Sequence, residues 1–177
     1  MKKLQFPIGV FEKPQVIEKS HIKSWIQEIA LFPARLSQQT EKLSAEQLNW
    51  QYRPDGWTIQ QVVHHCADSH INSFTRFKLS LTENLPIIKP YLEDKWAELP
   101  DTIETPIVES IKILEGLHAR WVVLLKTLNS NDLERKFIHP EHGKQFSIAE
   151  NIGVYAWHCN HHLAHIIQAL EKKRSSD

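Results

Sequence analysis

No excess of either charge marks this chain. Lys plus Arg and Asp plus Glu each number 21 in 177 residues, for a formal net charge of zero. A nucleic-acid partner calls for a strongly basic face, and none is implied. No apolar run approaches the roughly 18 residues of a membrane span. The start, Met1-Lys2-Lys3-Leu4-Gln5-Phe6-Pro7, also lacks the apolar centre of a secretory signal. A soluble, cytoplasmic protein with neither a nucleic-acid nor a membrane partner is expected. Cysteine is scarce: Cys66 and Cys159 stand far apart and outside any CxxC motif, so reduced, buried thiols are expected. Repeats and low-complexity tracts are missing as well. The length suits one domain, residues 1–177, with a sizeable core.

What is there in excess is histidine, with eleven residues. The run Trp157-His158-Cys159-Asn160-His161-His162-Leu163-Ala164-His165 places four of them on the 0, 3, 4, 7 spacing of one helical face. Two imidazoles at i and i+4 are neighbours on a helix surface and can aim at one ion. Chance at this histidine density yields roughly 0.7 HxxxH pairs. The chain has His158/His162 and His161/His165, so context has to carry the reading.

Four long helices are predicted. The first spans about 17–39, with Ile22, Trp25, Ile26, Ile29 and Phe32 on one face and Pro33 bending or ending it. A polar stretch to Gly56 holds a short helix near 44–49 and the turn signal Arg53-Pro54-Asp55-Gly56. The second helix starts at Thr58 with the capping box Thr58-Ile59-Gln60-Gln61 and carries the stripe Ile59, Val62, Cys66, Ser73/Phe74, Phe77, Leu81. The connection 84–105 is too long for a turn between antiparallel neighbours and reads as a crossover or a loop over a site. The third helix opens at Thr105-Pro106, a cap followed by proline at the first helical position. A small hairpin over 137–146, around Glu141-His142-Gly143, precedes the fourth helix. That helix is capped by Ser147-Ile148-Ala149-Glu150 and striped by Ile152, Tyr155, Cys159, Leu163, Ile166 and Leu170. The fold class is therefore all-α, a four-helix bundle.

His158 and His162 each precede a stripe residue, about 100° to one side of the buried face. His65 stands in the same relation to Cys66. Three histidines at matching core edges could converge on one ion, and three imidazoles with an open position form a catalytic rather than a structural zinc set. Nickel, copper and ferrous iron also accept imidazole. Asp68, three residues after His65, could orient that ring or be a solvated aspartate. His64, His161 and His165 could be neighbours of the site or surface residues, while Cys66 and Cys159 suit a small buried hydrophobe. A di-iron carboxylate centre would use Glu18/His21 and Glu115/His118, which match Glu-x-x-His. It also needs an inward glutamate at mid-length on the second and fourth helices, and Glu83 and Glu150 lie at helix ends.

These residues resemble the DinB/YfiT-like family of metal-binding four-helix bundles, nearest its YfiT branch. The likeness runs through Phe6-Pro7-Ile8-Gly9, Gly56-Trp57-Thr58, Gln61 to His70, Arg76 to Glu83, Leu117 to Trp121 and Tyr155 to His165. It implies a metal-dependent hydrolase or a bacillithiol-type S-transferase. The implied ligands are His65, eight residues after Trp57, and the pair His158/His162. Ala164-His165-Ile166 stands where the family usually has Gly-Gln-Ile. One divalent ion per subunit, zinc or nickel, a small-molecule substrate or low-molecular-weight thiol, a homodimer and the crossover at 84–105 are further expectations of the resemblance.

The expected chemistry is activation of water for hydrolysis, or of a thiol for attack on an electrophile. The competing class is a non-catalytic, metal-stabilised module, which a side chain in the ion's fourth position, such as Asp68 or a cysteine, would favour.

Overall fold

The computed structural model describes residues 2–141 and 143–174. Its elements in chain order are helices α1 (Lys2–Gln5), α2 (Lys19–Thr40), α3 (Ala45–Leu48), α4 (Ile59–Thr82), α5 (Glu93–Trp96), α6 (Pro100–Glu104), α7 (Ile107–Lys126) and α8 (Ser130–Glu134), strands β1 (Lys136–His139) and β2 (Lys144–Ser147), and helix α9 (Ile148–Arg174). The four long helices, α2, α4, α7 and α9, form the bundle.

Side-chain pairs fix how they run. Along α4 and α9 the partners are His65 with His158, Ser69 with Tyr155 and Ser73 with Asn151, so these helices are antiparallel. Along α4 and α7 they are His64 with Ser110, His70 with His118 and Phe77 with Trp121, so this pair is parallel. Trp25 lies against Gly153 and Arg35 bonds Asn160, which makes α2 and α9 parallel too. The consecutive helices α2 and α4, like α7 and α9, sit across the bundle's diagonals. The parallel pairing of α4 with α7 explains the long connection: the chain must travel back along the bundle before α7 can start.

Apolar stripes meet along the axis. Ile29, Phe32 and Leu36 of α2, Val63, Cys66 and Phe77 of α4, Leu114 and Trp121 of α7, and Ile152, Cys159 and Ile166 of α9 are nearly or fully excluded from water. Both cysteines are free and buried, and burial pushes their thiols up. Trp121 is core and Trp25 is half-buried, while Trp96 stays partly exposed against Tyr91.

Capping follows the sequence with local corrections. Thr58 and Gln61 exchange both bonds of the capping box. At α9 the Ser147 hydroxyl accepts the Glu150 amide, but the Glu150 carboxylate pairs with Lys13 at 3.1 Å. Pro106 is the cap of α7 rather than its first helical residue, because Thr105 still closes α6. The hairpin pairs Phe137 with Phe146, and its tip residue His142 lies outside the described residues.

Pro33 neither ends nor replaces helix α2, which runs seven residues beyond it to Thr40. Proline has no amide proton, so the Ile29 carbonyl one turn earlier loses its helical donor. The carbonyl takes His118 Nδ1 of α7 instead, at 2.6 Å. A neighbouring helix thus repairs the defect, and α2 continues.

Candidate metal centre

Three turns of helix set the site. His65 lies near the start of α4, where Trp57 packs on its ring with centroids 4.6 Å apart. His158 and His162 stack one turn apart on α9, rings 4.3 Å apart, facing α4. These three side chains offer ligand atoms all within 4.8 Å of one another, and they form the cluster of metal-ligating type found among the described residues. His65 Nε2 and His158 Nε2 are 3.3 Å apart. A tetrahedral ion with bonds of about 2.0–2.1 Å spaces its ligand nitrogens by about 3.3 Å, so this pair already spans one tetrahedral edge.

Burial governs the protonation of these rings. It pushes His65 down to about 3, with His161 and His165 adding repulsion. His158 and His162 are held well below the ordinary histidine range, again by burial first and by each other's neighbourhood second. Neutral imidazoles with lone pairs in one small volume are the donor set that a divalent cation of borderline softness takes.

The histidines around them divide by what they touch. His165 donates from Nε2 to the Gln5 carbonyl at 3.1 Å, stacks on Tyr52 at 3.8 Å, and approaches His162 Nδ1 at 3.4 Å with its own Nδ1. His161 stacks on Trp157 at 4.4 Å, and its buried Nδ1 has no hydrogen-bond partner among the described residues. His64 faces away, bonding Ser110 Oγ at 2.7 Å and the Thr105 carbonyl at 3.0 Å. Asp68 makes no hydrogen bond to His65 among the described residues. Burial and the Asp101 carboxylate raise its carboxyl to about 6. The di-iron pairings come apart: His21 caps Glu18 at the start of α2, and Glu115 is exposed while His118 is buried.

Sequence reasoning passed over two buried rings. His70 bonds His118 at 2.7 Å and His158 Nδ1 at 3.1 Å. The signal was available: the stripe of the second helix jumps from Cys66 to Ser73, and position 70 is the missing step. On the third helix Leu117 fills the expected stripe between Leu114 and Trp121, but it is the next residue, His118, that is buried.

Segments outside the bundle close the site. The N-terminal residues drape over α9, where the carbonyls of Leu4, Gln5 and Gly9 accept from Gln168, His165 and Trp157. Gly9 turns this segment with φ +76°, a value that disfavours side chains. On the other side α4 pins the long connection through Gln60 to Thr102 and Ile103, and Gln61 to Ala97. The connection brings Glu93 and Asp94 into the wall of a cavity of about 440 Å³ that also contains His65, His158 and His162. The same two carboxylates and His158 border a second cavity of about 660 Å³, lined further by Ser69, Arg76 and Tyr91. Burial, with Asp94 and Glu141 nearby, raises Glu93. Arg76 Nε is buried without a hydrogen-bond partner among the described residues, while the Ser69 hydroxyl lies beside Tyr91 Oη. A larger cavity, about 1240 Å³ between the start of α2 and α8, contains none of the clustered histidines.

Comparison with known proteins agrees with this architecture. Residues 28–166 match the model of the DinB superfamily. A Bacillus mycoides protein named "Putative metal-dependent hydrolase" is 49% identical over 172 residues, covering 97% of this chain and 98% of its own. A Bacillus cereus protein of the same name is 51% identical over 166 residues, 94% of this chain and 95% of its own. The solved structure of YfiT from Bacillus subtilis, described as a probable metal-dependent hydrolase with an unusual four-helix bundle topology, superposes with a TM-score of 0.94 at 42% identity. That match covers 97% of this chain and 98% of YfiT. No described helix is long and apolar enough to cross a membrane.

Proposed function

We propose that this chain, which belongs to the DinB superfamily, is an enzyme that holds one divalent ion, zinc or nickel, on His65, His158 and His162 and acts on a small electrophilic substrate. The observation that carries the reading is the convergence of the three imidazoles within 4.8 Å beside a cavity. A divalent ion supplies Lewis acidity, which makes a nucleophile of water or a thiol near neutral pH. Three protein ligands and no fourth in the cluster, among the described residues, support catalysis over a closed structural site.

The chain's own groups take the remaining tasks. Glu93 and Asp94, carried into the wall by the connection, can receive the proton that the nucleophile gives up, and the raised Glu93 suits exchange closer to neutrality. Trp57 and Trp157 wall the ligand cavity with apolar surface. Arg76 offers an unpaired donor, and Tyr91 its hydroxyl, to polar groups of the substrate in the adjoining cavity.

Hydrolysis is the leading reading, in keeping with the relatives' names. Thiol transfer is the second, favoured by the adjoining cavity of about 660 Å³, which gives a bulky low-molecular-weight thiol room beside the electrophile. Purified protein loaded with zinc or nickel should turn over ester or amide substrates, or a model electrophile with one of a panel of thiols. Turnover that needs thiol assigns transfer; turnover without it assigns hydrolysis; none with a stoichiometric ion bound returns the chain to a metal-stabilised module. A homodimer is the assembly that the family resemblance implies, and light scattering tests it.

A further inference from the structure

His70 and His118 lie deep in the bundle, 0% and 2% exposed, packed among Phe32 and Trp121. Neither lines any of the cavities described above. Polar rings in such a place satisfy each other's hydrogen bonds, but that alone leaves their direction open. Here the far end sets it. Ile29 O, left without a helical donor by Pro33, lies 2.6 Å from His118 Nδ1. A carbonyl only accepts, so the proton is on His118 Nδ1. A neutral imidazole has one N–H and one lone pair, so His118 Nε2 is bare. His70 Nδ1, 2.7 Å away, must donate to it, which leaves His70 Nε2 bare. His158 Nδ1, 3.1 Å from that nitrogen, must then donate in turn. Elimination ends at His158 Nε2, whose lone pair points at His65 Nε2 across 3.3 Å.

We propose that His70 and His118 are positioning residues of the metal centre: with the Ile29 carbonyl that Pro33 vacates, they lock the His158 ring in the tautomer and orientation that presents Nε2 to the ion. The proposal rests on the metal reading above. In water an imidazole samples both tautomers and many orientations. The chain removes the wrong ones before the ion arrives. Partners behind a ligating histidine are typically worth about 10–100-fold in metal affinity.

Two measurements on the full-length protein test it. Long-range proton–nitrogen NMR of metal-free, histidine-labelled protein should show the proton on Nδ1 in His118, His70 and His158. A proton on Nε2 of His158 overturns the chain, and this needs no variant, so it holds even if a substitution fails to fold. Zinc affinity, measured by competition with a chromophoric chelator, should fall about 10–100-fold in His118→Leu. It should recover in part in His118→Gln, whose amide can donate to Ile29 O and accept from His70. Thr40→Val removes a buried hydrogen bond to Leu36 O outside the chain and should leave zinc affinity unchanged. Equal zinc affinity in His118→Leu and wild type overturns the proposal while leaving the metal reading intact. Failure of the wild type to bind zinc sinks the metal reading and the proposal with it, and the tautomers then show whether the hydrogen-bond chain exists without that role.

Discussion

Helix α9 presents two of the three nitrogen donors, and they are backed in opposite ways. Behind His158 the hydrogen bonds run inward, 3.1, 2.7 and 2.6 Å long, through two fully buried rings to a carbonyl of α2. Behind His162 they run outward, through a 3.4 Å contact to His165 and then 3.1 Å to Gln5 O, a carbonyl of the four-residue helix α1. The same elimination assigns proton and lone pair in both. The inner chain forms when the bundle forms. The outer one depends on the docking of the draped N-terminal segment, whose carbonyls α9 holds through Gln168, His165 and Trp157. One wall of the centre is therefore part of the core, and the other is a flap.

Removing a nitrogen donor is the largest break. His158→Ala and His162→Ala should each lose more than the roughly 100-fold that outer partners are worth in zinc affinity; full stoichiometric retention in either variant would mean the donor set is misassigned. Acid comes next. Burial lowers both His118 and His165 from 6.5 to about 4, so the unfolded chain binds more protons in between. Stability of the metal-free protein should be complete above about pH 6.5 and decline as pH falls toward 4. Urea midpoints across that window measure it, and His118→Leu should flatten the slope; a midpoint constant from pH 7 to 4.5 contradicts the neutral-ring assignment.

Deleting residues 1–9 cuts only the outer chain. Zinc affinity should fall by roughly tenfold, toward the lower end of the range for outer partners, with the His158 tautomer unchanged. A loss as large as that of His118→Leu would erase the contrast between the two walls. The smallest effect belongs to Gly9→Ala. Its methyl meets no atom within 4 Å, so only the positive φ resists, at about 1 kcal/mol. A slight change in Trp157 fluorescence, whose indole donates to Gly9 O, should report it, with at most about 1 kcal/mol lost in global stability.

Periodicity made the bundle legible. The stripes of all four helices, the Thr58 box and the 137–146 hairpin stand where the sequence puts them, because each rests on local spacing. His65, His158 and His162 could be brought together on paper because each flanks a stripe residue. The inner chain could not. Its links pair residues 48, 88 and 89 positions apart, and they depend on parallel helices α4 and α7 that no local rule selects. Pro33 does not end its helix, and the reason is equally non-local: the carbonyl it vacates takes a donor from another helix. Asp68 stood open between orienting His65 and being solvated; it makes no hydrogen bond to that ring among the described residues, and burial with the Asp101 charge raises its carboxyl.

Two helices that run the same way side by side oblige the polypeptide to make a return journey. In this molecule that journey, 83–106, passes the metal centre and leaves Tyr91, Glu93 and Asp94 in its walls. It is moored by Gln60, Gln61 and His64 rather than woven through the core. The parts that would grip an ion and the parts that would meet a substrate thus sit on segments under different constraint. Substitutions in the return segment can change which molecule is accepted while the nitrogen donors stay put. A single scaffold of this kind can diversify its chemistry by rewriting a loop that its topology forces it to have.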